Sequence, residues 1–212
     1  VGSEMCIRDR DMRMHFVDEG SNVQGGHVEK RDEGAARAIT SFIDPSFDWD
    51  DVLWVKRQTR LPILLKGVQT WEDAVQAYEM GLAGVVLSNH GGRQLDFARS
   101  GVEVLEEVMR ELRKRGSFPN PAFQVMVDGG FRRGTDILKA LAMGATAVGI
   151  GRPFLYAYSA YGVDGVIHAI NLLRDELEMN MRLIGARSIE ELVPSMVDLS
   201  ALHNHTGAVF PK

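Results

Sequence analysis

The chain has 212 residues, 45% of them hydrophobic, and a net charge of -5, a balance that suits one globular domain with a buried core and excludes a disordered tail. Its mild acidity argues against sequence-independent nucleic-acid binding, and no apolar run reaches the roughly 18 residues that a membrane span needs. The only cysteine, Cys6, leaves no intrachain disulfide and no thiolate cluster, so no metal site is expected.

Residues Val1 to Arg10 have neither an apolar h-region nor the acid-poor pattern of a transit peptide. They read as a foreign or artefactual segment, resembling a translated sequencing adapter, with the chain proper expected from near Asp11. Residues 11–60 form the next expected unit, a long charged and glycine-containing connection. It carries a helical stretch ending in Ala35 to Ile39, a turn at Asp44-Pro45-Ser46, and a helix over Trp49 to Lys56 capped by Asp48 or Asp50. From 61 to 212 the pattern becomes regular. Leu61 to Lys66 predicts a strand, and Thr70 caps a helix that runs to Met80 and stops at Gly81. Ala83 to Ser88 predicts a second strand, and Val102 to Arg115 a helix with apolar positions at 102, 105, 108, 109 and 112. After the break at Ser117 to Pro121 come a strand over Phe123 to Asp128, a helix over Thr135 to Met143 and a strand over Ala145 to Ile150. This alternation predicts an α/β fold with a parallel sheet and right-handed crossovers. A long helix over Val163 to Ile184, with Ile167, Ile170, Leu173, Leu177 and Met181 on one face, and a short one from Ser188 complete the elements. In the tail, His203 and His205 read as solvent-facing.

The chemistry gathers at the strand ends, where active sites of β/α barrels lie. Leu87-Ser88-Asn89-His90-Gly91-Gly92-Arg93-Gln94-Leu95-Asp96 sets a base and a fixed cation three residues apart beside two glycines. Lys66 closes the first strand and aims a positive charge above it. Asp128-Gly129-Gly130-Phe131-Arg132-Arg133-Gly134 follows the third strand, and Gly151-Arg152-Pro153 the fourth. Glycines admit an anion to backbone N–H groups, a helix start adds its dipole, and arginines supply forked donors. If these are a barrel's last two strands, Gly130, Arg132, Gly151 and Arg152 anchor a phosphorylated cofactor. Arginine offers a carboxylate two parallel hydrogen bonds, and histidine, with an unperturbed pKa of about 6.5, accepts a proton at neutral pH. A cofactor phosphate, a cation, a base and a carboxylate clamp describe redox chemistry on a small acid.

The same residues carry a resemblance. Leu61 to Gly67, Ser88 to Asp96, Asp128 to Asp136 and Gly149 to Phe154 resemble the FMN-dependent 2-hydroxy acid dehydrogenases and oxidases, over about Asp11 to Asp198. Ser41 to Ser46, Leu173 to Met181 and Asp198-Leu199-Ser200 look most like the fungal flavocytochrome branch, whose members act on L-lactate. The resemblance implies the C-terminal half, units five to eight, of a (β/α)8 TIM barrel. In it Lys66 would stabilise the reduced flavin, His90 would be the base, and Arg93 would bind the substrate carboxylate. Ser88 and Gly92 would line the site, and Asp128, Gly129, Gly130, Arg132, Gly151 and Arg152 would hold the FMN ribityl chain and phosphate. His90 would remove either the α-carbon proton or the hydroxyl proton. Asp96 reads as a structural loop acid rather than the partner of His90.

By the same resemblance the substrate is a small L-2-hydroxy acid, with cytochrome c as acceptor in the mitochondrial intermembrane space and heme b in a full-length parent but not in this chain. A homotetramer is implied for the full-length protein. Alternatives are a glycolate-type oxidase using oxygen, a cytoplasmic location, another phosphate-binding barrel such as an inosine monophosphate dehydrogenase or a flavin-dependent isomerase, and an inactive incomplete gene product. The His-Gly-Gly-Arg block argues against the other barrels, and a Val209-Phe210-Pro211-Lys212 end disfavours the peroxisome. The family's two active-site tyrosines and the aspartate that orients the base belong to the first half-barrel, so the isolated chain is expected to be inactive.

Overall fold

A computed structural model describes residues 46–202 of the chain. The segment Val1 to Arg10 with Cys6, the helical stretch at 35–39, Asp44 and Pro45 of the expected turn, and His203 and His205 lie outside the described residues. The chain divides into two compact units, Val1–Leu61 and Pro62–Lys212. The described part of the first holds α1 (Trp49–Gln58). Asp48 is its cap: the Asp48 carboxylate accepts from the Asp50 and Asp51 backbone N–H groups, while Asp51 accepts from the Asp48 N–H at 3.0 Å. Both ends of this reciprocal box satisfy donors that the first helical turn would leave open. The helix continues past Lys56 to Gln58.

In the second unit the chain alternates β1 (Leu64–Val68), α2 (Trp71–Glu79), β2 (Gly84–Leu87), α3 (Gly101–Lys114), β3 (Gln124–Asp128), α4 (Gly134–Met143), β4 (Ala147–Gly149) and α5 (Arg152–Ile184). The strands are parallel and lie in the order β1-β2-β3-β4. Since spatial order follows chain order, right-handed crossovers place α2, α3 and α4 on one face. Burial follows: Leu65, Val85, Leu87, Val125 and Val127 are fully buried, whereas Lys66, Val86 and Met126 on the opposite face are only half-buried and Leu64 is exposed. Register aligns Lys66, Val86, Met126 and Ala147 as one row of that open face. A bulge between Lys66 and Val68 inserts an extra residue, so that Val68 falls opposite Leu87 and is buried like Leu65. A parallel sheet normally has both faces covered. These four β/α units cover one.

Among the described residues the expected strands and long helices form. Strands β2, β3 and β4 are shorter by one or two residues at their ends, whereas β1 starts three residues later than expected and continues past Lys66 to Val68, so that Lys66 lies within the strand rather than closing it. Three further differences carry physical content. The last helix begins at Arg152 rather than Val163. Pro153 suits a first helical turn, where no N–H is needed, and the break lies inside the helix, at Tyr161 and Gly162. The stripe expected on one face also divides. Leu177 and Met181 pack against Leu138, Ala142, Ala186 and Leu192, but Ile167 and Ile170 are half exposed, at 52% and 50%. The short element after Ser188 is a 3-10 turn, Ile189–Glu191, and Ser188 makes no side-chain cap to it. Among the described residues no helix is long and apolar enough to cross a membrane.

Where α4 meets α5 the approach is close. A Cβ on Gly134 would lie 2.5 Å from the Leu177 nitrogen, so only glycine lets the start of α4 rest on the α5 backbone. At that point Glu176 accepts from the Gly134 N–H at 2.8 Å and pairs with Arg133 at 2.7 Å. The Arg133 guanidinium, and next the Gly134 N–H, hold the Glu176 carboxyl below the usual 4.5. A depressed folded-state pKa contributes stability that is complete above about pH 4.5 and is lost as pH falls through the lowered value. Glu176→Gln should therefore lower the melting temperature at pH 7, by an amount reduced by solvent screening. Melts of the two chains from pH 7 to pH 3 should converge below pH 4.5; a gap of constant size would contradict this role.

Candidate active site

Three strands contribute to one polar network at the C-terminal edge of the sheet. Lys66, in β1, pairs with Asp128, the last residue of β3, at 3.2 Å, and donates to the Ser88 hydroxyl at 3.0 Å. Ser88 follows β2, is buried, and also accepts from the His90 backbone N–H at 3.1 Å. One hydroxyl thus joins the cation to the segment that carries the base. Asp128 Oδ1 is buried and has no hydrogen-bond partner among the described residues. Burying an acceptor without a donor costs about 1–3 kcal/mol, so a ligand hydroxyl or N–H has a place waiting there.

The segment after Ser88 turns tightly. Asn89 Oδ1 accepts from the Gly92 N–H at 3.0 Å and closes a 3-10 turn over His90–Gly92. His90 itself has φ 56 and Gly91 has φ 67, the left-handed region that costs an L side chain roughly 1–2 kcal/mol. A Cβ on Gly91 would lie 2.9 Å from Arg152 Nη2, which donates to the Gly91 carbonyl. His90 and Arg93 are both exposed, and among the described residues the Arg93 side chain has neither hydrogen bond nor ion pair. Asp96 accepts from its neighbour Phe97 N–H, the local loop role expected of it.

These residues surround a cavity of about 790 Å³, within the range of cofactor sites. Lys66, His90, Arg93, Asp128, Gly129, Gly130, Arg132, Gly151 and Arg152 all line it; Ser88 lies beneath, behind Lys66. These residues, expected near the strand ends, come together in one cavity, with Lys66 inside β1. Among the described residues, apart from the chain neighbours of each glycine, no atom lies within 4 Å of where a Cβ on Gly130 or Gly151 would stand, so the cavity meets both backbones directly. A phosphorylated flavin fits this donor set: an orphaned acceptor for a ribityl hydroxyl, bare glycine backbone, and Arg132 and Arg152 for a phosphate.

One detail differs from the expected cradle. The start of α4 is already occupied by protein carboxylates, since Glu176 takes the Gly134 N–H and Asp136 takes those of Arg132 and Arg133 at 3.0 Å each. The helix start left to serve an anion is that of α5, at Gly151 and Arg152, whose first segment runs only to the break at Tyr161. A short extra helix of that kind is the usual phosphate seat after a barrel's last strands. Its Leu155 and Tyr156 also line the cavity and carried no strand-end signal.

Gln69, Arg99 and Glu107 were likewise not singled out in the sequence. Arg99 donates to both Glu107 oxygens, at 2.7 and 2.9 Å, and to the Gln69 carbonyl at 2.6 Å; Gln69 in turn donates to the Ser88 carbonyl at 2.8 Å. The hydrogen-bonded Glu107 carboxylate raises the Arg99 guanidinium above its ordinary value, so its charge is constant.

A family model described as FMN-dependent dehydrogenase matches residues 6–199. The L-lactate dehydrogenase (cytochrome) of Wickerhamomyces anomalus is 56% identical over 198 residues, which cover 93% of this chain and 34% of that protein. Glycolate oxidase 2 of Oryza sativa subsp. indica is 46% identical over 169 residues, covering 80% and 44%. Among solved structures, the recombinant flavin-binding domain of baker's yeast flavocytochrome b2 superposes with a TM-score of 0.75 at 55% identity, covering 85% of this chain and 45% of that one. The chain thus spans a third to a half of the length of the relatives it matches. Sheet order, strand-end cavity and these likenesses agree that the chain belongs to the FMN-dependent dehydrogenase family, as the C-terminal half of its (β/α)8 barrel.

Proposed function

We propose that this chain supplies the FMN phosphate seat, the base and the carboxylate clamp of an enzyme that oxidises a small L-2-hydroxy acid, L-lactate foremost, to the 2-oxo acid. The observation that carries the reading is the convergence on one strand-end cavity of a paired lysine, a histidine and, without a partner among the described residues, an aspartate oxygen and an arginine. The higher identity to the fungal L-lactate dehydrogenase (cytochrome) than to glycolate oxidase favours lactate and a cytochrome acceptor over glycolate and oxygen.

Bound FMN would supply the two-electron acceptor. Gly130, Arg132, Gly151 and Arg152 would hold its phosphate, and Asp128 with Gly129 would serve its ribityl chain. Lys66, braced by Asp128 and Ser88, would supply a positive charge to a reduced flavin. Arg93 would present its fork to the substrate carboxylate, and among the described residues no protein carboxylate pairs with it. The His90 imidazole takes one proton from the substrate, from the α-carbon or from the hydroxyl. Turnover requires the other half of the barrel, because the open face and both edge strands of this sheet need it for closure.

The direct test uses the 212-residue chain with FMN, alone and co-expressed with the first half-barrel of the Wickerhamomyces relative, and follows anaerobic bleaching of flavin absorbance by L-lactate. Bleaching is expected only with both halves. In that assembly His90→Gln should slow it by about 10²- to 10⁴-fold, and Arg93→Lys should raise the lactate KM while FMN content holds. Bleaching that survives His90→Gln would refute the base. A second prediction follows from the left-handed backbone at residue 90. His90→Gly should unfold at a higher free energy than His90→Ala, by about 1 kcal/mol, and equal denaturant midpoints would remove strain from the account.

A further inference from the structure

We propose that Arg99 is a positioning residue for His90 and Arg93, a guanidinium clasp that holds residues 88–99 in the conformation presenting both side chains to the cavity. The inference rests on the reading of His90 and Arg93 as base and carboxylate clamp. Arg99 does not line the cavity; its grip is on the two ends of the segment. Its guanidinium takes both oxygens of buried Glu107 on α3 and the Gln69 carbonyl just beyond β1. Its own carbonyl accepts from Asn89 Nδ2 at 3.2 Å, which fastens position 99 to position 89. Gln69 closes the circuit by donating to the Ser88 carbonyl.

Between the fastened ends lie three consecutive left-handed residues, His90, Gly91 and Gly92, with φ 56, 67 and 73. Two glycines impose no such shape by themselves, and histidine resists it. The conformation must be held from outside. A simpler role, capping α3, is already filled: Ser100 accepts from the Glu103 N–H, and Glu103 accepts from the Ser100 N–H at 2.7 Å. Arg99 also reaches a carbonyl 30 residues away, which no cap requires. Lysine could keep the charge opposite Glu107 but lacks the fork that reaches Glu107 and Gln69 together.

The test compares the 212-residue chain with Arg99→Ala, Arg99→Lys and Arg93→Lys. Amide hydrogen exchange is followed by NMR at His90 and Gly92, whose N–H groups are held by Ser88 and Asn89, with Leu138 and Leu141 in α4 as internal reference. Oxalate, titrated calorimetrically, is the carboxylate probe. Loss of the clasp should speed exchange at His90 and Gly92 at least about tenfold and leave α4 protected, as a local opening does. If the competent conformation falls to about a tenth of the population, the oxalate Kd rises about tenfold. Arg99→Lys should fall between. Unchanged exchange at His90 and Gly92, or equal acceleration in α4, would overturn the clasp and leave Arg99 an ordinary stabilising residue. Wild-type oxalate affinity in Arg93→Lys would instead overturn the carboxylate-clamp reading, and the exchange data would still decide the clasp.

Discussion

The ion pair of Lys66 with Asp128 is the contact on which the rest of the site depends, because it crosses from the first strand to the third at the sheet's C-terminal edge. Each member is about a quarter exposed, at 28% and 22% of the side chain. A pair so placed is partly desolvated, and removing one partner strands the other charge in poor solvent. Ser88 completes the bridge over the intervening strand and hands its remaining capacity to the His90 N–H. A change at Lys66 is therefore felt at the base through one hydroxyl.

That network also explains how an acidic chain builds an anion site. Net charge is -5, yet among the described residues the cavity brings Lys66, Arg93, Arg132 and Arg152 together against Asp128 alone, whose charge is answered by Lys66. The local field, not the sum over the molecule, is what a phosphate or a carboxylate meets at close range. The acids that could have quenched it are used elsewhere: Glu176 and Asp136 on the start of α4, Glu107 on Arg99.

Much of this was legible in the sequence because strand, turn and helix signals are local. Apolar runs ending near Lys66, Ser88, Asp128 and Ile150 mark the strands to within two residues of their C-terminal ends, and parallel order then brings Lys66, Asp128 and Ile150 to one cavity. Contacts between distant residues were not legible. The Arg133–Glu176 join spans 43 residues and leaves the start of α4 closed to a ligand, so the helix dipole offered to the cavity is that of α5. The Arg99 clasp rests on a carbonyl and on a glutamate that reads as solvated face in an amphipathic helix. The first segment of α5 was hidden by Pro153, which looks like a breaker and acts as a starter.

If the strand-end cavity seats a phosphorylated flavin through Arg132, Arg152 and the glycine backbone, removing the phosphate must cost affinity. The measurement that reaches it most directly is a fluorescence-quenching titration of the chain with FMN and, in parallel, with riboflavin, which lacks only the phosphate. Two charge-assisted hydrogen bonds of roughly 1.5–3 kcal/mol each, offset by phosphate desolvation, should still leave FMN at least about tenfold tighter. The preference should vanish when Arg132 and Arg152 are both replaced by alanine. Equal affinity for FMN and riboflavin in the unaltered chain would contradict the claim.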